Sequence, residues 1–174
     1  MIETPTLLQS MRVRRQPVDL VNQEDQTLEL DDVVAGLFLR KCRRITVVCR
    51  GKAAQITVQD CADVRLTFDS VLTSVEAIRS HGVVLAYSGR CGTITLDGCS
   101  QVELNVPVAK DAVPPLIVCT HVVDLRLRAV GDNCVVVVDE ALPPIDAAQT
   151  TVTYDAAAAT FRADRVLRTA LFTA

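Results

Sequence analysis

The chain has 174 residues and a formal charge of −3, from 18 Lys and Arg against 21 Asp and Glu. Hydrophobic residues make up 49% of the chain and aromatic residues only 3%, so the core must be built from Val, Leu, Ile and Ala, a composition that favours strands. The acidic balance argues against a nucleic-acid-binding protein, and no apolar run approaches the roughly 20 residues of a transmembrane helix.

Residues 1–16 are predicted to form a flexible tail. Met1 to Pro5 include an acid and a proline where a secretory signal would have basic residues and an apolar core, so no signal peptide is expected. The basic runs Arg12 to Arg15 and Arg40 to Arg44 are interpreted as a solvated tail and a strand end rather than phosphate sites.

The sequence repeats from about residue 18 to about residue 140. Anchors at Cys42, Cys61, Ser80 and Cys99 recur with a 19-residue period. An alternating apolar run precedes and follows each anchor, and alternation at period two predicts strands that are buried on one face. Each repeat is therefore two strands around a corner, and its length suits one coil of a parallel β-helix, in which the anchors stack as a packed column.

The two ends of this solenoid are less regular. Leu28 to Asp32 is interpreted as an incomplete first coil. An insertion, Val108 to Pro114, offsets a fifth coil, in which Thr120 to Leu127 repeats the anchor and the alternating run with His121 at the corner. Leucine-rich repeats are the main alternative, because their period begins near 20 residues. They need a regular Leu-x-x-Leu-x-Leu frame, whereas these repeats alternate Val and Ile.

A hairpin is predicted at about residues 148–174. Leu142-Pro143-Pro144 interrupts the repeats, and two strand-like runs follow, Thr150 to Tyr154 and Val166 to Phe172. Arg162 to Arg165 is the predicted turn between them.

The sequence offers little for catalysis or metal binding. The seven cysteines are odd in number and include no Cys-x-x-Cys pair, which indicates reduced cytosolic thiols, and only His81 and His121 could complete a metal site. Ser80 and His81 are neighbours on a strand and would point to opposite faces. We therefore expect no metal, no cofactor, no catalytic residue and no enzyme activity.

Several short segments, in this order, resemble the C-terminal domain of cyclase-associated proteins. They are Asn22-Gln23-Glu24, Lys41-Cys42, Gly51-Lys52, Ile56 to Cys61, Phe68-Asp69 and Asp97-Gly98-Cys99. The resemblance covers residues 17–174 and is closest to the short, single-domain forms of protozoan parasites. It implies an all-β fold, a right-handed parallel β-helix whose coils have this 19-residue period, and a C-terminal β-hairpin that is exchanged between two chains.

The same resemblance implies a cytoplasmic, cytoskeleton-associated function. The expected partner is monomeric actin, preferably ADP-bound, whose nucleotide exchange the protein would promote, with no nucleic acid or membrane partner. The alternative is a module like tubulin-binding cofactor C, which stimulates GTP hydrolysis or assists tubulin folding. Its catalytic Gln-x-Arg segment is not matched by Gln55-Ile56-Thr57 or Gln101-Val102-Glu103.

Candidate contact residues follow from the alternation and from the tail. The actin-binding candidates are the outward residues of one sheet and part of the tail, namely Arg65, Thr67, Glu103, Asn105, Arg126, Arg168, Thr169, Leu171 and Phe172. The candidates for dimerisation through the hairpin are Phe161, Val166, Leu167 and Ala170.

Overall fold

A computed structural model describes residues 16–166, which form fifteen strands and one short 3-10 turn, Asp132–Cys134. The strands are β1 (Val18–Val21), β2 (Glu24–Asp31), β3 (Leu37–Arg40), β4 (Arg43–Ala53), β5 (Ile56–Gln59), β6 (Ala62–Val71), β7 (Ser74–Ile78), β8 (His81–Tyr87), β9 (Thr93–Asp97), β10 (Ser100–Pro107), β11 (Leu116–Thr120), β12 (Val123–Val130), β13 (Val136–Leu142), β14 (Thr150–Asp155) and β15 (Thr160–Arg165). In residues 16–166, no helix has the length and apolar character that a bilayer crossing requires.

Consecutive strands alternate between two sheets. The eight-stranded sheet has the order β1-β3-β5-β7-β9-β11-β14-β15, and the seven-stranded sheet has the order β13-β12-β10-β8-β6-β4-β2. Strands up to β12 pair in parallel with the equivalent strand of the next coil, as Leu37 does with Ile56 and Ile45 with Val64. The predicted parallel β-helix with a 19-residue coil is confirmed, and the leucine-rich repeat alternative is wrong.

The core lies between the inward faces of the two sheets. Inward residues form rows that stack from coil to coil; one row consists of Leu37, Ile56, Val75, Ile94 and Ile117, each 0 or 1% exposed. Outward residues alternate with them and are exposed or half-buried. Because the register is preserved in every coil, the period-two pattern of the sequence is enough to define this core.

The corner between the two consecutive strands of each coil contains the predicted column. Cys42, Cys61, Ser80 and Cys99 are at most 3% exposed, and Val122 takes the equivalent position in the fifth coil. Backbone φ is 45° to 66° at two positions in every coil, one residue before and two residues after the column. These residues are Asn22, Asp25, Lys41, Arg44, Asp60, Asp63, Arg79, Gly82, Gly98, Gln101, His121 and Asp124.

The ends of the solenoid differ from the prediction. The first coil is complete, because β1 and β2 pair with β3 and β4. The predicted insertion before the fifth coil is confirmed, since β10 ends at Pro107 and β11 begins at Leu116. The parallel coils end with β12, because β13 runs antiparallel to it and closes that end of the seven-stranded sheet.

The hairpin is present, but its turn was predicted in the wrong place. Arg162 to Arg165 lie within β15, and the chain reverses at residues 156–159 instead. Asp155 makes this turn, because its Oδ1 accepts hydrogen bonds from the backbone N–H groups of Ala157 and Ala158 over 3.0 and 3.1 Å. The segment has no Gly or Pro, so nothing in its composition indicated a turn. Val166 lies just beyond β15, and the rest of the predicted strand to Phe172 lies outside the described residues.

Candidate interaction surface

Five of the predicted contact residues lie on the outer face of the seven-stranded sheet. Arg65 and Thr67 are on β6, Glu103 and Asn105 on β10, and Arg126 on β12. Each alternates along its strand with a buried residue, so each points away from the core. The structure therefore brings all five onto one surface.

These five residues form two groups, because β8 runs between β6 and β10. Arg65 pairs in register with Val84 of β8, and Val84 pairs with Glu103. Two strand spacings of about 4.8 Å put Arg65 and Glu103 roughly 10 Å apart along the sheet. The two groups also differ in their hydrogen bonding.

The group on β10 and β12 is an ion-pair network. Arg128 binds Glu103 over 2.5 Å, and Asp139 of β13 binds Arg126 over 2.6 Å and Arg128 over 3.4 Å. The Asn105 amide also donates a hydrogen bond to Glu103 over 3.3 Å. Hydrogen bonding by Arg126 holds the pKa of Asp139 below its usual range. Glu103, Asn105 and Arg126 are thus already engaged within the chain.

Sequence reasoning missed Arg128 and Asp139, the other two members of this network. Arg128 follows the same alternation as Arg126 and could have been found from it. Asp139 could not, because β13 turns back antiparallel and places Asp139 opposite Arg128, outside the 19-residue period.

The group on β6 is different, because Arg65 has no ion-pair partner in residues 16–166. Its lateral neighbours on this face are Thr46 of β4 and Val84 of β8. Thr67, the next outward residue on β6, lies between Val48 and Ala86. We call these six residues the central platform: Thr46, Val48, Arg65, Thr67, Val84 and Ala86.

Ion pairs also occupy the opposite edge of this sheet, where the first two coils meet. Arg50 binds Glu29 over 3.0 Å and Asp31 over 3.5 Å. Arg44 binds Asp25 over 2.6 Å and also contacts Glu24. The central platform therefore lies between two paired, charged margins.

Comparison with known proteins assigns the family. The family described as "Adenylate cyclase associated (CAP) C terminal" matches residues 14–122. The chain belongs to this family.

Individual members of the family resemble the chain over part of its length. Mouse adenylyl cyclase-associated protein 1 is 36% identical over 84 residues, which is 45% of this chain and 18% of the mouse protein. The Dictyostelium discoideum adenylyl cyclase-associated protein is 22% identical over 111 residues, 64% of this chain and 24% of that protein. The chain thus spans about a fifth of the length of these relatives.

A solved structure shows the same fold. The crystal structure of the cyclase-associated protein from Cryptosporidium parvum matches with a TM-score of 0.66 at 15% identity, covering 89% of this chain and 94% of that chain. The all-β solenoid described above is therefore the fold of a cyclase-associated protein.

The candidate dimerisation residues lie in or beyond the hairpin. Phe161 is 6% exposed and contacts Tyr154 edge to face, with ring centroids 5.2 Å apart, both within one chain. β14 pairs antiparallel with β11 of its own chain. Val166 is 39% exposed. Leu167, Arg168, Thr169, Ala170, Leu171 and Phe172 lie outside the described residues.

The hairpin is joined to β13 by the segment that includes Pro143 and Pro144. A cleft of about 260 Å³ lies between this segment and the hairpin, with Leu142, Ile145 and Arg165 among its lining residues. The cleft is shallow and mostly apolar, and the Asp146–Arg165 ion pair, at 2.8 Å, lies at its margin. It has the character of a joint between two structural elements rather than of a substrate pocket.

No metal-binding cluster of three or more His, Cys, Asp or Glu residues occurs between residues 16 and 166. The two histidines lie at coil corners, where the His81 Nδ1 is 2.8 Å from the Ser100 Oγ. His81 is exposed and Ser100 is half-buried.

Proposed function

We propose that the chain binds monomeric actin, preferably in its ADP-bound form, and promotes exchange of the bound nucleotide. The observation that carries this proposal is membership of the cyclase-associated protein C-terminal family over residues 14–122. The short segments that resemble the family, in the same order along the chain, support the same activity, and so does the solenoid fold. In the cell, such a protein would act in the cytoplasm, beside the cytoskeleton.

The seven-stranded face supplies the contact surface in this proposal. Its strands are bonded on both sides from β4 to β12, so the surface is rigid before a partner arrives. A preformed surface loses little conformational entropy on binding. A rigid surface also binds one conformation of its partner more tightly than another, and an exchange factor requires this difference in affinity.

Exchange is promoted by differential binding. The chain must bind actin more tightly when the nucleotide cleft is loose than when it is closed, and it can shift that equilibrium by no more than this difference in affinity. No group on the chain needs to react for the nucleotide to exchange. The chain therefore acts as a binding protein.

The hairpin would join two chains in this proposal. β14 and β15 could form the same pairing on β11 of a second chain, and the stiff Pro143-Pro144 segment would carry them across. The candidate residues Phe161, Val166, Leu167 and Ala170 would then lie at the dimer interface. Residues 168–172 would lie beside actin.

The test measures release of a fluorescent nucleotide from ADP-actin, with and without the full chain, beside light-scattering mass. We expect faster release and the mass of a dimer. Unchanged release at saturating protein would refute the exchange activity.

A truncated variant tests the role of the hairpin. Deleting residues 160–174 removes β15 and is expected to give a monomer with lower stability and lost exchange. A truncated chain that stays dimeric and releases ADP at the full rate would contradict hairpin exchange.

A further inference from the structure

Arg65, on the inner strand β6, lies near the middle of the outer face of the seven-stranded sheet. Arg44 and Arg50 of β4 and Arg126 and Arg128 of β12 each bind a carboxylate of the same chain. Arg65 is exposed and has no such partner in the described part of the chain.

The acid nearest in sequence on this face, Asp63, is directed away from Arg65. A Cβ placed on Gly82 would lie 2.7 Å from the Asp63 Oδ1, so this carboxylate extends across the corner toward β8. The residues beside Arg65 on the neighbouring strands, Thr46 and Val84, have no charge. Nothing on the central platform therefore neutralises the guanidinium.

The other five residues of the central platform have short, weakly polar side chains. Val48, Val84 and Ala86 are half-buried, and the two threonines have short side chains. Arg65 is therefore the longest side chain of the platform, among small residues. A long arginine on such a surface is typical of the residues that dominate binding energy at protein interfaces, because its stem contacts apolar groups and its head forms directed hydrogen bonds.

The arginines at the margins of the platform are already paired, as in the polar rim of an interface. On one side, Glu103 and Asp139 balance Arg126 and Arg128, and on the other side Glu29 and Asp31 surround Arg50. Arg65 thus lies near the centre of this face without an ion pair in the described residues, whereas Lys52 of β4 and Asp69 of β6, which also lack one there, lie toward one end of their strands. A protein docked here would remove the guanidinium from water, which is costly unless the partner supplies an opposite charge.

We propose that the central platform docks on the surface of actin that presents a single carboxylate to Arg65, and that this contact, which rests on the actin binding proposed above, anchors the complex. The planar guanidinium would bind the carboxylate through two parallel hydrogen bonds, with the apolar and threonine side chains excluding water around them. Lysine cannot form this paired contact, so the site distinguishes the two cations.

The test compares binding of monomeric ADP-actin by the full-length chain and three variants. Arg65→Ala is expected to weaken binding by about 30-fold or more, as loss of one partner of a buried charge pair does. Arg65→Lys should bind about tenfold more weakly than the wild type. Arg90→Ala is the matched control, because Arg90 is exposed on the loop after β8, lies off the platform and also has no ion-pair partner in residues 16–166. It should bind within about twofold of the wild type.

Two further measurements separate the outcomes. All variants should unfold at the wild-type urea concentration, because neither arginine makes an ion pair within the described chain. Binding by Arg65→Ala should also depend less steeply on salt than wild-type binding, since one charge contact is lost. If wild-type chain binds actin and Arg65→Ala binds as tightly as Arg90→Ala, the Arg65 contact is wrong and the proposed function stands. If wild-type chain does not bind actin, both proposals are wrong.

Discussion

The backbone N–H of Cys42 donates a hydrogen bond to the Cys61 Sγ, one coil further along, over 3.3 Å. The same relationship links the next two coils, where the Cys61 N–H donates to the Ser80 Oγ over 3.1 Å. In each case, the column side chain of one coil satisfies the backbone of the coil before it. The anchors found from the 19-residue period are therefore hydrogen-bond acceptors as well as packed small residues.

Ser80 offers the sharpest test of this role. Its hydroxyl accepts from the Cys61 N–H and donates to the Ile78 carbonyl over 2.9 Å, and the residue is 2% exposed. Ser80→Ala leaves a buried N–H without a partner and is expected to lower the free energy of unfolding by about 1–3 kcal/mol. Ser80→Cys recreates the arrangement at Cys61 and should lose less than about 1 kcal/mol. Urea unfolding measures both. Equal stability of the Ala and Cys variants would mean that the column only fills space.

The accessible thiol of this chain is expected to be Cys134. It is the exposed last residue of the 3-10 turn, whereas the other six cysteines are buried. Burial raises the pKa of Cys49, Cys61 and Cys91 to about 11 and that of Cys119 to about 12, which keeps these thiols protonated and unreactive at neutral pH. A native-state thiol assay at pH 8 should show one fast equivalent and six released only by denaturant. Cys134→Ser should abolish the fast phase, and more than one fast equivalent would contradict the coil register.

Acid should weaken the fold through its arginine–aspartate pairs. Hydrogen bonds from Arg44, Arg79 and Arg126 lower the pKa of Asp25, Asp60 and Asp139, respectively, below the ordinary value of 3.8. A lowered folded-state pKa means that the stabilisation is complete above the unfolded-state pKa and is lost as the pH falls through the folded-state value. The urea midpoint should therefore be steady from neutral pH to about pH 5 and fall below about pH 4.

Asp139→Asn is the variant that tests this assignment. It should lower the urea midpoint at neutral pH and flatten the fall in acid, because its pairs with Arg126 and Arg128 no longer titrate. An acid profile identical to that of the wild type would assign the effect to other carboxylates.

The central coils were predictable from the sequence, because a strict register makes each coil repeat the last. The same register indicates the environment of Arg65, since Thr46 and Val84 occupy the equivalent positions in the coils to either side of it. The period does not extend to β13, where the chain reverses direction, so Asp139, the ion-pair partner of Arg126, was not predictable. The turn at residues 156–159 was also missed, because a single aspartate side chain makes it among alanines.

Glu140 joins the two sheets at the end where the hairpin packs. It belongs to β13 of the seven-stranded sheet, and its carboxylate accepts hydrogen bonds from the Thr160 Oγ1 over 2.7 Å and the Phe161 N–H over 3.3 Å. Both donors belong to β15 of the eight-stranded sheet. The contact therefore holds the hairpin across the core opening, beside the buried Phe161 ring.

Removing this carboxylate should loosen the hairpin before the coils. Hydrogen bonds to a charged group contribute about 1.5–3 kcal/mol, so Glu140→Ala should speed amide hydrogen exchange in residues 150–165 by about tenfold or more while residues 93–107 exchange as in the wild type. Glu140→Gln keeps an acceptor oxygen in a side chain of the same shape, so amide hydrogen exchange in its hairpin should be faster than in the wild type and slower than in Glu140→Ala. If exchange in the hairpin is unchanged in Glu140→Ala, its attachment depends on Phe161 packing and on the β11–β14 pairing alone. If the hairpin is released in Glu140→Ala, it should also swap between chains more readily. The dimer fraction, measured by light scattering, should then reach equilibrium faster in this variant than in Glu140→Gln.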